Sequence, residues 1–377
     1  MYEWDYFDEE QEYHPMTDAD NLYDGFVKAS KGSKWKAQVK RFRWNLLEEL
    51  RKLQVELINM KDNKPGAYTL SPYSKFTVNE RGKTRAITAL CIRDRVVKHV
   101  LNDVFLLPHI RPKLIYDNGA SLSGKGVSFT RNRLIVHLES FYRETGSNDG
   151  YIMIIDFSGY YDNIDHIEAM NEICEYESDE FARRLVWQAF DSYKVDVSCL
   201  DEDYISGKFN AVEYRKANYP QEGKRYMRKS LSVGDQTSQT TAILFPTPID
   251  KLVTIVCGFK YYGRYMDDLY VIAETREELL ALYDRIMDKA AELKIIINQN
   301  KIKISKLSRT FRFLQFKYFL TDNGHVVVRI NPKTVNKMCR KLKALASPET
   351  IFKSWFGSFY KYMSNHQIIK VKRSIQC

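Results

Sequence analysis

Three aspartates stand where a buried strand ends or a tight turn begins. Asp156 closes an apolar run of strand length, and Asp267 with Asp268 separates the apolar stretches 252–262 and 269–273. An isolated buried carboxylate is costly, so each needs an arginine or a metal ion as its partner. Carboxylates from neighbouring strands suit Mg²⁺, and two such ions can activate an attacking hydroxyl and stabilise a leaving phosphate oxygen. Taken alone, an Asp-Asp pair at a turn is more often a solvated loop.

Both strands and helices are expected to position these carboxylates. Residues 151–157 predict a buried strand, and residues 252–273 predict a hairpin with the Asp-Asp pair at its turn. A second strand-turn-strand is predicted over 76–87, with its turn at Arg81-Gly82. Apolar spacings of three and four predict amphipathic helices. These helices are expected at 35–57, 92–106, from the Gly-rich loop 119–126 to about 142, and at 276–293, with a separate helical unit opened by Asn331-Pro332.

The charge of the chain is unevenly distributed. The 377 residues carry a formal net charge of +10, but residues 1–25 hold nine acids and no base, which leaves a body at +19. The last 47 residues hold ten Lys or Arg against one Glu. A body this basic favours a polyanionic partner, nucleic acid before membrane. On charge alone, a soluble surface that is merely rich in lysine stays an alternative.

Several other classes of protein are disfavoured. The six cysteines lie at least 25 residues apart, so they show no zinc-finger spacing. No apolar run reaches the roughly 18 residues of a membrane span, and we expect a cytoplasmic protein without a membrane partner. Segment 119–126 approaches the phosphate-binding loop G-x-x-x-x-G-K-[S/T], but Gly126 stands where the Mg²⁺-binding hydroxyl belongs. A nucleotide-hydrolysing switch is therefore a weaker reading.

The aspartates belong to a series of blocks that resembles the reverse transcriptase family. IIDFSGYYDNIDH (154–166) and YMDD (265–268) resemble motifs A and C of its palm. The other blocks follow in the expected order: GKTRAI (82–87), RDRVVKHVL (93–101), SVGDQTSQ (232–239), NQNK (298–301), FLQF (313–316) and SWFG (354–357). FLQF departs from the family, which usually has Gly where Gln315 stands. The resemblance covers roughly residues 70–365 and implies an α+β right-hand polymerase, with fingers, a palm built on an antiparallel sheet, and a small helical thumb.

The resemblance also implies catalytic roles. Asp156, Asp267 and Asp268 would be the metal-binding carboxylates for two Mg²⁺ ions, with Mn²⁺ as a possible substitute. Lys301 would donate a proton to the leaving pyrophosphate, although in so basic a stretch it could equally contact the template. The enzyme would be an RNA-directed DNA polymerase, a nucleotidyltransferase. It would act on an RNA template, a DNA or RNA primer duplex, and dNTPs.

Further residues are implied to bind the incoming nucleotide. Lys83 and Arg85 would meet its triphosphate, a contact that cationic donors make well. Their alternative is a solvated turn of the fingers hairpin. Tyr161 would lie under the sugar and block a 2′-OH, whereas Tyr160 and Tyr161 could instead be core aromatics, and one of them is expected to be.

The block at 232–239 departs from most reverse transcriptases. Val233 precedes Gly234 where the family usually has Gln, and Gln239 follows Ser238 where it usually has Pro. This form resembles the reverse transcriptases of diversity-generating retroelements, which misinsert opposite template adenine and work with a small basic accessory protein. Losing an amide near the nascent pair would lower discrimination. Alternatively, Val233 only repacks the start of a helix.

The sequence therefore predicts an error-prone reverse transcriptase of a diversity-generating retroelement. The alternatives are an anti-phage defence reverse transcriptase of the abortive-infection or retron kind, and a catalytically dead nucleic-acid-binding protein, against which the three intact carboxylates argue. The expected domains are an acidic lead at 1–25, fingers and palm at 26–325, and a basic helical thumb at 326–377 that grips the duplex backbone. The acidic lead is either a tail or a site for a basic accessory protein.

Overall fold

A computed structural model of the chain describes residues 14–80, 83–198, 215–216, 225–345 and 347–375. Its helices, in chain order, are α1 (Ala19–Ser30), α2 (Ala37–Trp44), α3 (Leu46–Lys61), α4 (Ile92–Val100), α5 (Leu107–Ile110), α6 (Val127–Thr145), α7 (Tyr160–Asn163), α8 (His166–Tyr176), α9 (Glu180–Tyr193), α10 (Gln236–Leu244), α11 (Thr247–Lys251), α12 (Arg276–Glu292), α13 (Pro332–Lys343), α14 (Glu349–Phe359) and α15 (Asn365–Arg373). The strands are β1 (Ser74–Glu80), β2 (Lys83–Ala89), β3 (Tyr151–Asp156), β4 (Val195–Asp196), β5 (Arg215–Lys216), β6 (Arg225–Met227), β7 (Tyr262–Tyr265), β8 (Asp268–Ala273), β9 (Lys303–Lys306), β10 (Phe311–Phe313), β11 (Phe316–Leu320) and β12 (Val326–Ile330). The predicted α+β class is confirmed.

The chain forms two compact units, and each is assembled from three separate segments. The first unit comprises Met1–Ile115, Gly159–Pro248 and Ala291–Ile296. The second comprises Tyr116–Ser158, Ile249–Ala290 and Ile297–Cys377. The sequential division at 1–25, 26–325 and 326–377 stays a prediction.

The first unit is mainly helical and carries the predicted fingers hairpin. Strands β1 and β2 pair antiparallel, with Val78 opposite Arg85 and Glu80 opposite Lys83. The two residues expected at the turn, Arg81 and Gly82, lie outside the described residues. Helices α1 and α4 pack closely, because a side chain at Gly25 would collide with Val100. This unit therefore presents a two-stranded ribbon on a helical body.

The second unit is built on a four-stranded antiparallel sheet. The strand order is β7-β8-β3-β9, so the apolar run of β3 lies between two partners. Ile152 on β3 and Tyr270 and Ile272 on β8 are buried in one core with Leu134 and Leu138 of α6. A helix covering a sheet in this way buries a nearly continuous apolar strand, which is the pattern expected from residues 151–157. The predicted palm sheet is confirmed.

A smaller sheet leads into the last helices. Strands β10, β11 and β12 pair antiparallel in that order. The helical part starts at Pro332, and the Asn331 side chain accepts a hydrogen bond from the Lys333 amide at 3.1 Å, which caps α13 as predicted. Residues 326–330, expected to open the helical thumb, instead form the edge strand of this sheet. The helical unit predicted to open at Asn331-Pro332 contains the three helices α13, α14 and α15.

Two other expectations were wrong in detail. The single helix predicted over 35–57 is two helices, because the chain breaks at Asn45, whose φ of −109° and ψ of 35° leave the helical region. The first arm of the hairpin predicted over 252–273 is strand only from Tyr262, and Leu252–Val256 continues α11 as a π-helical turn. Periodicity cannot separate a short buried strand from a buried helix segment. Among the described residues, none of the helices is long and apolar enough to cross a lipid bilayer.

Candidate active site

The register of the four-stranded sheet brings the predicted carboxylates together. Asp156, the last residue of β3, lies directly opposite Asp268, the first residue of β8. The Phe157 amide donates to the Asp267 carbonyl at 3.1 Å, which ties the end of β3 to the turn between β7 and β8. Side chains on directly opposed residues lie within about 5.5 Å of each other at Cβ. The sheet therefore concentrates three carboxylates at one edge.

The turn that carries Asp267 is a tight two-residue hairpin turn. Tyr265 pairs with Asp268, so only Met266 and Asp267 lie between the strands. Met266 has a φ of +54°, a left-handed conformation that is uncommon for a residue with a side chain. Such a conformation persists where the surroundings hold it in place.

A buried ion pair beneath the turn supplies that support. Arg264 and Asp250 are both fully buried, and the guanidinium donates from Nη2 to Asp250 Oδ2 at 2.7 Å and from Nε to Oδ1 at 2.8 Å. The Tyr262 hydroxyl donates to the same carboxylate at 2.5 Å. Arg264 Nη1 also donates to the Met266 carbonyl at 3.2 Å. The ion pair thus holds the backbone of this turn directly.

Sequence reasoning missed this pair. Arg264 precedes the Tyr-Met-Asp-Asp block and was not distinguished from other strand residues. Asp250 lies two residues before the stretch 252–262 interpreted as strand, in the short helix α11 of the structure. A signal was available, because a lone acid among apolar residues needs a buried partner. Residues two apart on a strand, as Tyr262 and Arg264 are, point to the same face and can meet one carboxylate together.

The electrostatics of the site show how tightly the carboxylates are grouped. Burial raises the pKa of Asp268 to about 7, and the negative charges of Asp267 and Asp156 add to the effect. The Lys301 ammonium pairs with Asp156 Oδ2 at 2.6 Å, and its positive charge opposes the upward shift of the Asp268 pKa. The hydrogen bond to Asp156 in turn raises the pKa of Lys301. The site therefore attracts cations, and Lys301 supplies one of them.

The donor chemistry of the site fits Mg²⁺. Its three carboxylates offer only oxygen ligands, and their mutual repulsion is relieved by a cation. Within the described part of the chain, no group of three or more His, Cys, Asp or Glu side chains is placed so that it could hold a metal ion by itself. Mg²⁺ sites of phosphoryl-transfer enzymes are commonly completed by substrate phosphates and water, so an open set of carboxylates is compatible with them.

The predicted nucleotide-binding residues lie in the first unit. Tyr160 is the core aromatic, buried with its hydroxyl donating to the Ala242 carbonyl at 2.7 Å, whereas Tyr161 is half-buried. Val233 and Gln239 are half-buried, and Gly234 is exposed. The Tyr161 carbonyl accepts a hydrogen bond at 2.8 Å from the amide of Leu231, the residue before the block at 232–239.

Gly234 has a backbone conformation that explains its residue type. Its φ of +107° is one that residues with a side chain rarely adopt, and an added Cβ would lie 3.8 Å from Ile87 Cγ2 of β2. The loop before α10 therefore approaches the fingers hairpin within the first unit. Glycine satisfies the backbone requirement here rather than a steric one.

The start of α10 is held by a second buried cluster that sequence reasoning missed. Asp235 Oδ2 accepts from the hydroxyls of Tyr193 at 3.1 Å, Thr237 at 2.7 Å and Ser238 at 3.1 Å. Lys98 is 3% exposed, and its ammonium has no hydrogen-bond partner among the described residues. Burial lowers the pKa of Lys98, and the charges of Asp235 and Asp94 oppose that shift. Asp235 therefore fixes the helix that carries Gln239.

Two further predictions concern the cations of strand β2 and the lysine of the loop 119–126. Lys83 and Arg85 lie on β2 two positions apart, where the register places them opposite Glu80 and Val78. The segment 119–126 precedes α6 and is not a phosphate-binding loop after a sheet strand. Lys125 donates to the Tyr116 carbonyl at 2.6 Å and lies 4.9 Å from the ring of Phe129. The nucleotide-hydrolysing alternative gains no support from this loop.

Comparisons with known proteins assign the chain to a family. Residues 64–318 match the family model described as "Reverse transcriptase (RNA-dependent DNA polymerase)", which is more than half of the chain. A comparison with curated protein sequences gives no match. Among solved structures, apo telomerase from Candida tropicalis, truncated from its C-terminal domain, has 11% identity and a TM-score of 0.48, with 69% of this chain and 55% of that chain covered.

A second similar structure is telomerase from Candida albicans in complex with a TWJ fragment of telomeric RNA. It has 11% identity and a TM-score of 0.44, with 82% of this chain and 61% of that chain covered. The present chain thus spans less than two thirds of the length of either structure.

Proposed function

This chain belongs to the reverse transcriptase family, and from that membership we propose that it is an RNA-directed DNA polymerase. The reaction joins a primer 3′-OH to the α-phosphate of a dNTP and releases pyrophosphate. The observation that carries the proposal is the placement of Asp156 opposite Asp268, with Asp267 in the adjoining turn and Lys301 at 2.6 Å from Asp156. Carboxylates and a protonated amine at one sheet edge are the groups this transfer needs.

Each residue has a distinct part in the proposed reaction. Bound to the three carboxylates, Mg²⁺ would supply charge neutralisation for the triphosphate and the attacking hydroxyl. Asp156 holds Lys301 as an ammonium, because the hydrogen bond between them raises the pKa of Lys301. Lys301 would give that proton to the pyrophosphate oxygen as its bond to the α-phosphorus breaks. Lys83, Arg85 and Tyr161 keep the nucleotide-binding roles that the family resemblance implies.

The finer assignment is a reverse transcriptase of a diversity-generating retroelement, and it rests on the block at 232–239. Val233, Gly234 and Gln239 match the form found in those enzymes. The proposed partners are an RNA template, a primer duplex, dNTPs and a small basic accessory protein, for which the acidic residues 1–25 are a complementary segment. The block gives no support to the defence-type alternative. Near-identical repeats that differ at adenines beside the gene would support the retroelement role, and their absence would count against it.

The activity is tested by primer extension on an RNA template with Mg²⁺ and dNTPs. Asp267→Asn should lower kcat by at least about a thousandfold, because it removes a charge that acts on the reacting phosphates. Asp284→Asn is the matched control, since Asp284 is an exposed aspartate on α12 of the same unit. Extension by Asp267→Asn at the wild-type rate would refute the assignment of the site. A wild-type protein without any extension activity would refute the proposed function.

A further inference from the structure

A segment of the first unit combines an unusual charge with unusual exposure. Residues 25–47 contain seven Lys or Arg and no Asp or Glu. Trp44 and Leu47 are each 83% exposed and Trp35 is 72% exposed, so three of the four most exposed large apolar side chains of the described residues fall here. Scattered exposed apolar side chains are normal on proteins. A cluster of them inside an acid-free basic segment needs a separate explanation.

The helical geometry shows how the exposed side chains are arranged. Val39 and Phe42 form the buried face of α2, and Phe42 stacks on Phe26 with ring centroids 5.4 Å apart. At about 100° per residue, Trp44 lies opposite that face, and Lys40 and Arg41 lie roughly 50° to either side of Trp44. An exposed indole is thus flanked by an ammonium and a guanidinium on one helix.

The cations of this segment are largely available to a ligand. Lys28 pairs with Asp103 at 2.7 Å. The six others are all exposed and make no ion pair within 4 Å among the described residues: Lys31, Lys34, Lys36, Lys40, Arg41 and Arg43. Lys36 lies 5.8 Å from the ring of Trp35, close to the limit of a cation–π contact. Among the described residues, no acid therefore neutralises these six cations.

We propose that Trp35, Lys40, Arg41, Trp44 and Leu47 form a binding surface for single-stranded RNA, here called the tryptophan surface. Proteins that bind unpaired strands combine aromatic rings, on which bases stack, with cations that follow the backbone. Trp35 and Trp44 are nine residues apart, and α2 spans most of that separation. At about 1.5 Å per residue the eight residues of α2 are roughly 12 Å long, a length of a few nucleotides, and Trp35 lies two residues before the helix begins.

The chemistry favours an unpaired strand over two other occupants. A duplex offers its phosphates but keeps its bases stacked, so it would use the cations and leave both indoles exposed. An acidic polypeptide, including residues 1–13 of this chain with six acids, would also need the cations alone. Of these three occupants, only an unpaired strand uses rings and cations together. The choice of RNA over DNA rests on the proposed function, in which RNA is the template.

The test measures RNA binding by the full chain. The probe is a fluorescein-labelled, unstructured RNA of about 12 nucleotides, within the site size of known single-strand binders. Unlabelled blunt RNA–DNA duplex is added in excess to occupy any duplex-binding surface. Fluorescence anisotropy gives the dissociation constant for wild type, Trp44→Leu, Trp44→Phe and Trp35→Leu/Trp44→Leu. Ile255→Ala is the matched control, because Ile255 is 73% exposed and lies outside the basic segment.

The expected results separate stacking from general apolar contact. Trp35→Leu/Trp44→Leu should weaken binding at least about tenfold, whereas Trp44→Phe, which keeps a ring, should lose less than Trp44→Leu. Replacing Lys40, Arg41 and Arg43 by Gln should reduce the slope of log affinity against log salt by about 2, since each lost phosphate contact removes about 0.7. Ile255→Ala should bind as wild type does.

Three results would overturn the inference. The first is equal affinity of wild type and Trp35→Leu/Trp44→Leu, with both proteins equally stable to heat. The second is an equal loss for labelled duplex and single strand. The third is that deleting residues 1–13 raises the affinity for the RNA about tenfold, while Trp44→Leu has no effect on that affinity in the full chain. This result would make the acidic segment the occupant. Asp267→Asn should bind the probe as wild type does. A failure of the proposed polymerase activity therefore does not change the outcome of this binding test.

Discussion

The β7–β8 hairpin lies in a four-stranded sheet, whereas the β1–β2 hairpin is a sheet of its own. On β8, Leu269 and Tyr270 point to opposite faces and both are fully buried. On β1, Phe76 and Val78 are 49% and 40% exposed, and the intervening Thr77 is exposed as well. A two-stranded hairpin is marginally stable without a core. The geometry of the β7–β8 hairpin is therefore set by packing. The β1–β2 hairpin depends on the backbone hydrogen bonds between its strands and on what binds it.

The difference matters because both hairpins carry predicted substrate contacts. The acids at the β7–β8 turn must be placed before the substrate arrives, since electrostatic stabilisation depends on groups that do not reorganise. The buried Arg264–Asp250 pair and the Met266 carbonyl provide that placement. Cations that meet a triphosphate can adjust as it binds. Mutations in the β7–β8 hairpin should accordingly lower stability and kcat. Mutations in the β1–β2 hairpin should lower the affinity for the substrate.

The largest effect is expected where the buried ion pair is broken. Arg264→Met should lower the free energy of unfolding by about 4 kcal/mol, because it leaves Asp250 buried without its countercharge. Arg264→Lys keeps the charge but loses the paired guanidinium contacts, and kcat should fall by about a hundredfold with little change in the KM for dNTP. Chemical denaturation and steady-state primer extension measure the two effects.

The control for this substitution is Arg312→Met, since Arg312 is an exposed strand arginine of the same unit. It should change the unfolding free energy by less than about 0.5 kcal/mol. An unchanged kcat in Arg264→Lys would show that the ion pair stabilises the sheet without positioning the turn.

A pair of truncations compares the two hairpins directly. Leu269→Ala should cost about 3 kcal/mol, because Leu269 is fully buried beside Asp268 and its removal leaves a cavity. Val78→Ala should cost less than about 0.5 kcal/mol, because Val78 is partly in solvent already. Equal losses in urea denaturation would contradict the contrast between a packed and an unpacked hairpin.

The fingers hairpin should show its importance in substrate affinity. Lys83→Ala and Arg85→Ala should each raise the KM for dNTP by about tenfold, since each removes a charge-assisted contact to phosphate. The melting temperature should stay within about 2 °C of wild type, as for surface substitutions in general. Thr77→Ala on the partner strand is the control, and a tenfold rise in its KM would assign the effect to the ribbon rather than to the cations.

The smallest expected effect concerns fidelity. Val233→Gln should lower misinsertion opposite template adenine by about threefold, because it restores an amide beside a loop that approaches β2. Sequencing of the cDNA gives the error rate at each template base, with errors opposite the other three bases as the internal control. An unchanged rate opposite adenine would indicate that Val233 only packs the start of α10.

The sheet and its acids could be predicted from sequence, and several other features could not. The run ending at Asp156 is apolar, has the length of a strand and ends in a charged residue. Its pattern and its terminal carboxylate therefore both indicate a buried strand that leads to a site. The helix break at Asn45 could not be predicted, because apolar residues keep the helical spacing on both sides of it. Arg264 escaped because its role depends on a carboxylate in a helix 14 residues earlier, and local patterns do not report such pairs.

The exposed indoles could not be predicted for a similar reason. Trp35 opens the amphipathic helix predicted over 35–57, and Trp44 lies within it. Whether a large apolar side chain faces the core depends on what packs against its helix. In the structure Val39 and Phe42 occupy that face.

The strand order of the central sheet has a consequence for synthesis of the chain. Strand β3 pairs with β8 and β9, whose residues follow it by more than 100 positions. At about 5–20 residues per second, β8 is translated roughly 6–25 s after β3. During that interval the run YIMII has no sheet partner, and unpaired apolar strands are prone to aggregate. We therefore expect expression yield to depend on chaperones that hold nascent chains.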